Sequence, residues 1–297
     1  MKNMNAVDLL KDLVKIQSPS GKEDKLINYI MDFLTKIGYE PVVYEVENIK
    51  NIILNQNSKL WIFAHLDTVP IKRNFEFDGK FAYGTGVCDV KGSIAAILLA
   101  LNEVNDLKFG VAFVSDEEEG GKGSEIIAKH FEPRKAIVME PTSLKIANIH
   151  YGSLEVIATF TGLSSHGSMP EFGENAIEMA IRCISEIKEK VKTKVSIIEM
   201  HGGSKEYIIP DKCTVRLDFI FPPEIKSSEL KSDLIKIFSN YNVDVKIEDE
   251  ANGFVSSNEI CLLLEKAIRS AGVKVEYGIM PSWTDAINLN KFGWDVV

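Results

Sequence analysis

Apolar residues near the start of the chain recur at helical spacing. Val7, Leu10, Leu13, Val14 and Ile16 fall on one face, and Asn5 before them is of a type that caps helix N-termini. Ser18-Pro19-Ser20-Gly21 interrupts the pattern. A second stripe, Leu26, Ile27, Ile30, Phe33, Leu34 and Ile37, predicts a helix closed by Gly38, with Ser20 and Glu23 spaced as a capping box. Strands are expected at 41–47, 51–54 and 60–64, the last continuously apolar as a strand covered on both faces would be. Residues 91–104 read as a buried helix. Residues 110–114 and 136–139 read as buried strands, with a helix near 124–130 between them. Strands alternating with helices predict an α/β fold with a mainly parallel central sheet.

The pattern changes near Tyr151. Leu154, Val156, Ala158 and Phe160 alternate in strand fashion, and a helix is expected over 174–190. Strands at 194–200 and 213–219, a helix near 227–239 and a strand near 243–248 complete a β-α-β-β-α-β order, the ferredoxin-like arrangement. The reading therefore divides the chain into a first domain, 1–151 with 256–297, and a smaller α+β domain, 152–255. In the returning segment, 257–271 is expected to be helical and 273–277 extended. Trp294-Asp295-Val296-Val297 reads as a strand entering the first sheet.

The chain has 297 residues, within the range of one large or two medium domains. Its 34 basic and 43 acidic side chains leave a net charge of −9, which argues against nucleic acid or an anionic membrane as partner. Four scattered cysteines form neither a disulfide framework nor a zinc ribbon. The first residues carry no apolar signal core, and the longest apolar run, Ile94–Leu101, falls far short of the ~20 residues that span a bilayer. A cytoplasmic protein is expected.

Polar residues cluster at the expected carboxyl ends of the parallel strands, where open α/β sheets place their sites. His65 and Asp67, at i and i+2, face the same way, so His65 can ligate a metal while Asp67 holds its other ring nitrogen. For that pair taken alone, ordinary loop hydrogen bonds are the better explanation. Asp89 follows Gly84-Thr85-Gly86 directly before the buried helix, where a helix cap is the simpler alternative. Asp116-Glu117-Glu118-Glu119 leave a buried strand and enter two glycines, and Glu140-Pro141-Thr142 ends the next strand. A solvated acidic face would also explain four adjacent carboxylates. Taken together, one imidazole and several carboxylates at successive strand ends suit zinc or cobalt better than magnesium or calcium.

With these motifs in order, the chain resembles the di-zinc aminoacylase, acetylornithine deacetylase and succinyl-diaminopimelate desuccinylase metallopeptidase family. The matching stretches are His65–Pro70, Gly84–Gly92, Ser115–Gly121, Glu140–Thr142, Ser165-His166-Gly167 with Pro170, Gly173–Ile177, and Ile209-Pro210-Asp211. The resemblance implies a zinc-hydrolase domain plus a lid through which the protein forms a homodimer. It implies that His65 and Glu140 bind one zinc, Asp89 bridges to a second, and Glu118 binds that second zinc. Glu117 would be the general base, Asp67 would orient His65, and His166 would stabilise the oxyanion. Asn175, Thr284 and Asp285 would face substrate, and the Asp89–Val90 peptide would be cis. Zinc, two per chain, is the implied cofactor, with cobalt able to replace it.

Four features depart from the family pattern. Thr85 stands where an arginine is usual, Asp218-Phe219-Ile220 replaces an aspartate-x-arginine, and Ser282-Trp283-Thr284-Asp285 replaces glycine-threonine-serine-aspartate. The sequence also ends at Val297, before the glycine-proline-glycine loop and histidine that complete the family's second metal site, so a truncated chain is expected. His130, His150 and His201 are read as structural or exposed. The implied function is metal-dependent cleavage of the amide bond of an N-acyl amino acid, as in lysine and arginine biosynthesis. An exopeptidase acting on short peptides and a non-catalytic metal-binding protein are the alternatives.

Overall fold

The computed structural model describes residues 5–104 and 106–297; the reading of the first four residues lies outside them. In chain order the first elements are α1 (Ala6–Lys15), α2 (Asp24–Lys36), β1 (Val42–Val46), β2 (Ile49–Leu54), β3 (Leu60–His65), the hairpin β4 (Glu76–Phe77) and β5 (Ala82–Tyr83), and α3 (Gly92–Glu103). Next come β6 (Gly110–Val114), α4 (Lys122–His130), β7 (Lys135–Val138), β8 (Ile146–His150), β9 (Gly152–Thr161), α5 (Ala176–Lys190), β10 (Lys194–Gly202) and β11 (Lys212–Phe221). The chain closes with α6 (Ser227–Phe238), β12 (Val243–Ala251), β13 (Phe254–Val255), α7 (Asn258–Ser270), β14 (Tyr277–Met280), α8 (Asp285–Lys291) and β15 (Asp295–Val296).

The chain divides into two compact units. One comprises the described residues of Met1–Asn148 with Ser256–Gly278 and Thr284–Val297; the other comprises Ile149–Val255 with Ile279–Trp283. The first unit is built on a six-stranded sheet of order β1-β2-β6-β3-β7-β15. β6, β3, β7 and β15 run parallel, while β1 and β2 add an antiparallel edge. β6 is buried along its whole length, as its unbroken apolar sequence requires. Leu13 of α1, Leu26, Ile30 and Leu34 of α2, and Ile94 and Leu98 of α3 close one core with Ile52, Val111 and Phe113. Parallel register brings the carboxyl ends of β3, β6 and β7 to one edge of the sheet, and the chemistry-bearing loops leave from there.

The second unit is a four-stranded antiparallel sheet of order β10-β11-β9-β12, covered by α5 and α6. Leu154, Val156, Ala158 and Phe160 of β9 and Val215, Leu217 and Phe219 of β11 all face those helices and are completely buried. Arg216 and Glu155, on the opposite face, form a two-pronged ion pair at 2.7 and 2.8 Å.

The capping box expected at α2 does not form. Glu23 occupies the N-cap position but caps nothing with its side chain, accepting instead the Gly21 N–H at 3.0 Å. Ser20 is drawn away because its hydroxyl donates to Asp67 at 2.7 Å. The extended segment expected at 273–277 also lies later, with β14 beginning at Tyr277.

Candidate active site

β3 ends on His65, which is 1% exposed. Its Nδ1 lies 2.9 Å from the backbone carbonyl of Asp67, whereas the Asp67 carboxylate stands 3.7 Å away. The i, i+2 spacing thus fixes the imidazole as expected, but through the carbonyl. Nδ1–H donating to that oxygen leaves Nε2 as the outward lone pair, the tautomer a metal ligand needs.

The Asp67 carboxylate, fully buried, is occupied elsewhere. It accepts the backbone N–H groups of Glu117 at 3.0 Å and Glu118 at 2.9 Å, and the Ser20 hydroxyl. Burial raises its pKa, yet the nearby His65 ring and hydrogen bonds from the Ser20 hydroxyl and the Glu118 backbone N–H bring the balance below the ordinary value. An aspartate two residues beyond β3 therefore pins the loop beyond β6. Thr68 joins the same seam, its N–H reaching Ser18 O at 2.9 Å.

Asp89 sits in a tight turn over Val87–Lys91 that runs into α3, and the Asp89–Val90 peptide is cis. Gly86 enters the turn at φ +75, and a Cβ there would meet the Thr68 methyl at 2.7 Å, so glycine is required twice over. The turn brings Asp89 Oδ1 to 2.9 Å from His65 Nε2. Glu140, beyond β7, completes a group: ligand atoms of His65, Asp89 and Glu140 all lie within 4.8 Å of one another. Glu118 is outside this group as placed. Thr85, where arginine is usual, fastens the 71–73 loop by donating to Ile71 O at 2.6 Å and accepting the Arg73 N–H at 2.7 Å.

The electrostatics of this edge call for a cation. Burial lifts Glu140 to about 8, against the pull of His65 and with added repulsion from Asp285, Asp89 and Glu118. Burial likewise pushes Glu117 upward, Asp285 contributing next, and raises Glu118 with help from Asp89. Burial alone would lower His65, but Asp67 and Asp89 hold it well above its ordinary value. Among the described residues, His65 makes the only ion-pair contacts these carboxylates have. Glu140 Oε1 is buried with no hydrogen-bond partner among the described residues. An orphaned carboxylate oxygen beside an available imidazole nitrogen fits a divalent cation, whose charge would compensate the cluster.

Asp285, at the start of α8, is completely buried and shifted upward chiefly by that burial. Ser124 is its favourable neighbour, but that hydroxyl is also engaged with Gly121 O at 3.1 Å. Thr284 is buried, and its hydroxyl has no partner among the described residues. Asn175 spends its side-chain oxygen capping α5, accepting from Ile177 and Glu178. His166 lies in the second unit on an exposed loop, bonded to the Ser168 hydroxyl at 2.7 Å and edge-on to Tyr207. His130 pairs with Tyr44, His150 stacks on Phe254, and His201 is exposed beside Glu199. Sequence reasoning missed Ser20 as a site component, because its spacing to Glu23 matched a helix cap.

Residues 148–246 match the Peptidase dimerisation domain family. The succinyl-diaminopimelate desuccinylase of Buchnera aphidicola subsp. Baizongia pistaciae is 25% identical over 316 residues, covering 91% of this chain and 82% of that protein. A Pyrobaculum aerophilum protein provisionally named LysW-lysine/LysW-ornithine hydrolase is 28% identical over 230 residues, covering 74% of this chain and 67% of that one. Among solved structures, a Staphylococcus aureus tripeptidase superposes with a TM-score of 0.80 at 18% identity, covering 98% of this chain and 88% of that one, and shares the fold. Motif order, fold and these likenesses agree: the chain is similar to the aminoacylase, acetylornithine deacetylase and succinyl-diaminopimelate desuccinylase family of metal-dependent amide-bond hydrolases.

Proposed function

We propose that this protein removes the acyl group from an N-acylated amino acid, with the first unit carrying the chemistry and the second serving as lid and dimerisation domain. The observation that carries the reading is the edge at which His65, Asp89 and Glu140 converge while Asp67 holds the backbone of Glu117 and Glu118. His65 and Glu140 would hold one metal ion, Asp89 would bridge, and Glu118 would serve the second position; the donor set suits zinc, with cobalt able to substitute. A bound ion of this kind supplies Lewis acidity, polarising an acyl oxygen and making water more acidic.

The chain's own residues do the rest. Glu117 takes a proton from the attacking water and returns it to the departing amine nitrogen, so one carboxylate serves both halves of the reaction. Its partly enclosed position keeps it basic enough for that exchange. Asp67 fixes the Glu117 backbone, and the Asp67 carbonyl fixes the His65 ring. His166 is assigned as oxyanion donor, and Thr284, Asp285 and the Asn175 amide as groups that contact substrate. The cysteines are all unpaired, as in a reducing compartment, and among the described residues no helix is long and apolar enough to cross a membrane. We place the enzyme in the cytoplasm on that basis.

The decisive test is hydrolysis of N-succinyl and N-acetyl diamino acids against a dipeptide panel, with zinc-loaded and cobalt-loaded protein. Acyl amino acids are expected to be the better substrates. Glu117→Gln should retain its metal content and lose about 10²–10⁴-fold in kcat. Preference for dipeptides would overturn the deacylase assignment, and a Glu117→Gln variant within a few-fold of wild type would overturn the assignment of the base.

A further inference from the structure

Beside the loop that follows Asp67, the first unit holds a cavity of about 660 Å³, walled by α1, the start of α2 and residues 68–75. Six of its seventeen lining residues are basic (Lys11, Lys15, Lys25, Lys72, Arg73 and Lys91), and none is acidic. The chain as a whole is the reverse, with 43 acids to 34 bases. A wall of that size drawn at the chain's average would hold about two of each sign, so positive charge is segregated here.

These cations are also poorly neutralised. Among the described residues only Lys15 is ion-paired, with Asp12 at 3.5 Å. Arg73 lies over the Tyr83 ring, 5.4 Å from its centroid. Lys91 is 1% exposed, and its ammonium has a single acceptor among the described residues, the Ile16 carbonyl at 2.6 Å. A buried ammonium with one neutral acceptor is costly unless an anion or water completes its shell. Val14, Ile16, Val69, Pro70, Ile71 and Phe75 give the same wall an apolar portion. Its volume falls in the range of small-molecule sites.

We propose that this cavity binds a small organic anion carrying two or more negative charges, at a site separate from the metal-ligand group. Charge on the ligand meets Lys11, Lys72 and Arg73 near the mouth and Lys91 at the base, while its carbon skeleton lies on Val14, Val69 and Phe75. The chemistry is common to phosphate monoesters and polycarboxylates, and the cavity lies outside the machinery assigned to hydrolysis.

Calorimetric titration of the metal-loaded protein with glycerol phosphate and with tricarballylate, glycerol serving as the neutral control, tests the proposal and separates the two anion sources. One of the two anions should bind with a Kd below about 1 mM and weaken as salt is raised. Lys11→Glu and Lys72→Glu, both at exposed positions, should each weaken binding about tenfold, while His65→Ala should leave it unchanged. Absence of binding by either anion up to about 10 mM overturns the proposal. So does binding that survives both charge reversals but disappears in His65→Ala, since the anion would then sit at the metal-ligand group.

Discussion

Asp67 shows how much one side chain can organise. Its carboxylate gathers two backbone N–H groups from the loop beyond β6 and one hydroxyl from the loop before α2, while its carbonyl takes the His65 ring. Ser20 is the least conspicuous member, and its removal isolates the effect. Ser20→Ala leaves a buried carboxylate short of one charge-assisted hydrogen bond, a loss of about 1.5–3 kcal/mol if none of it is recovered. Within the hydrolase assignment, kcat should fall about tenfold with KM nearly unchanged, and Ser20→Thr should restore most of it. Equal stability and kinetics in wild type and Ser20→Ala would show that the hydroxyl does not position the Glu117 loop. The pairing of His65 with residue 67 was legible from their i, i+2 spacing, but the choice of the Asp67 carbonyl over its carboxylate was not. The Ser20–Asp67 bond joins residues 47 apart in sequence, and no local pattern announces it.

At the scale of elements, close backbone approach positions α4 behind the acidic loop. Gly123 lies against the end of β6, where a Cβ would stand 2.6 Å from Ser115 N and 2.8 Å from Asn51 Oδ1, and nearer still to Ser115 O. Asn51 uses that closeness, donating to Gly123 O at 3.1 Å and accepting the Ser115 N–H at 3.1 Å. Gly123→Ala should therefore destabilise by about 1–3 kcal/mol despite the better helix propensity of alanine, read as a lower urea midpoint at unchanged slope. A neutral or stabilising effect would mean that α4 can move away at no cost. The long elements could be anticipated because many residues share one period. The β4–β5 hairpin and α8 escaped it, being two-residue strands and a seven-residue helix too short to show one.

At the scale of the whole molecule, two consequences can be measured. A cation that binds the folded protein alone must stabilise it, by about 2.7 kcal/mol at a hundredfold excess over its Kd. Adding zinc to metal-free wild type should raise the thermal midpoint, and adding it to His65→Ala should raise it far less. The same rise in both would place the stabilising ion elsewhere. The second consequence follows from the dimerisation-domain match, which covers a sheet whose edge strand β10 exposes Ile198 and Met200 at 49% and 39%. Such apolar exposure on an edge strand is a liability unless another chain covers it. Ile198→Asp combined with Met200→Asp should shift sedimentation from dimer to monomer, and an unchanged dimer would assign the interface to another face.

The sequence by itself determined the fold class and the types of residue available for chemistry. Periodicity reports which face of each element is buried, and strand-helix alternation leaves few ways to arrange a parallel sheet. It also placed His65 and the acidic loops at strand ends, since the ends of apolar runs are visible in one dimension. Only the tertiary structure decided which of those residues meet. The parallel register of β3, β6 and β7 brings residues 65, 117 and 140 to one edge, and the turn after Gly86 adds Asp89. It also assigned each acceptor: the Asp67 carbonyl to histidine, its carboxylate to the Glu117 loop, and Ser20 to Asp67 rather than to a helix end. Competition among hydrogen-bond partners is settled by proximity and burial in three dimensions. A cavity wall drawn from residues 11 to 91 has no counterpart in any local stretch of sequence.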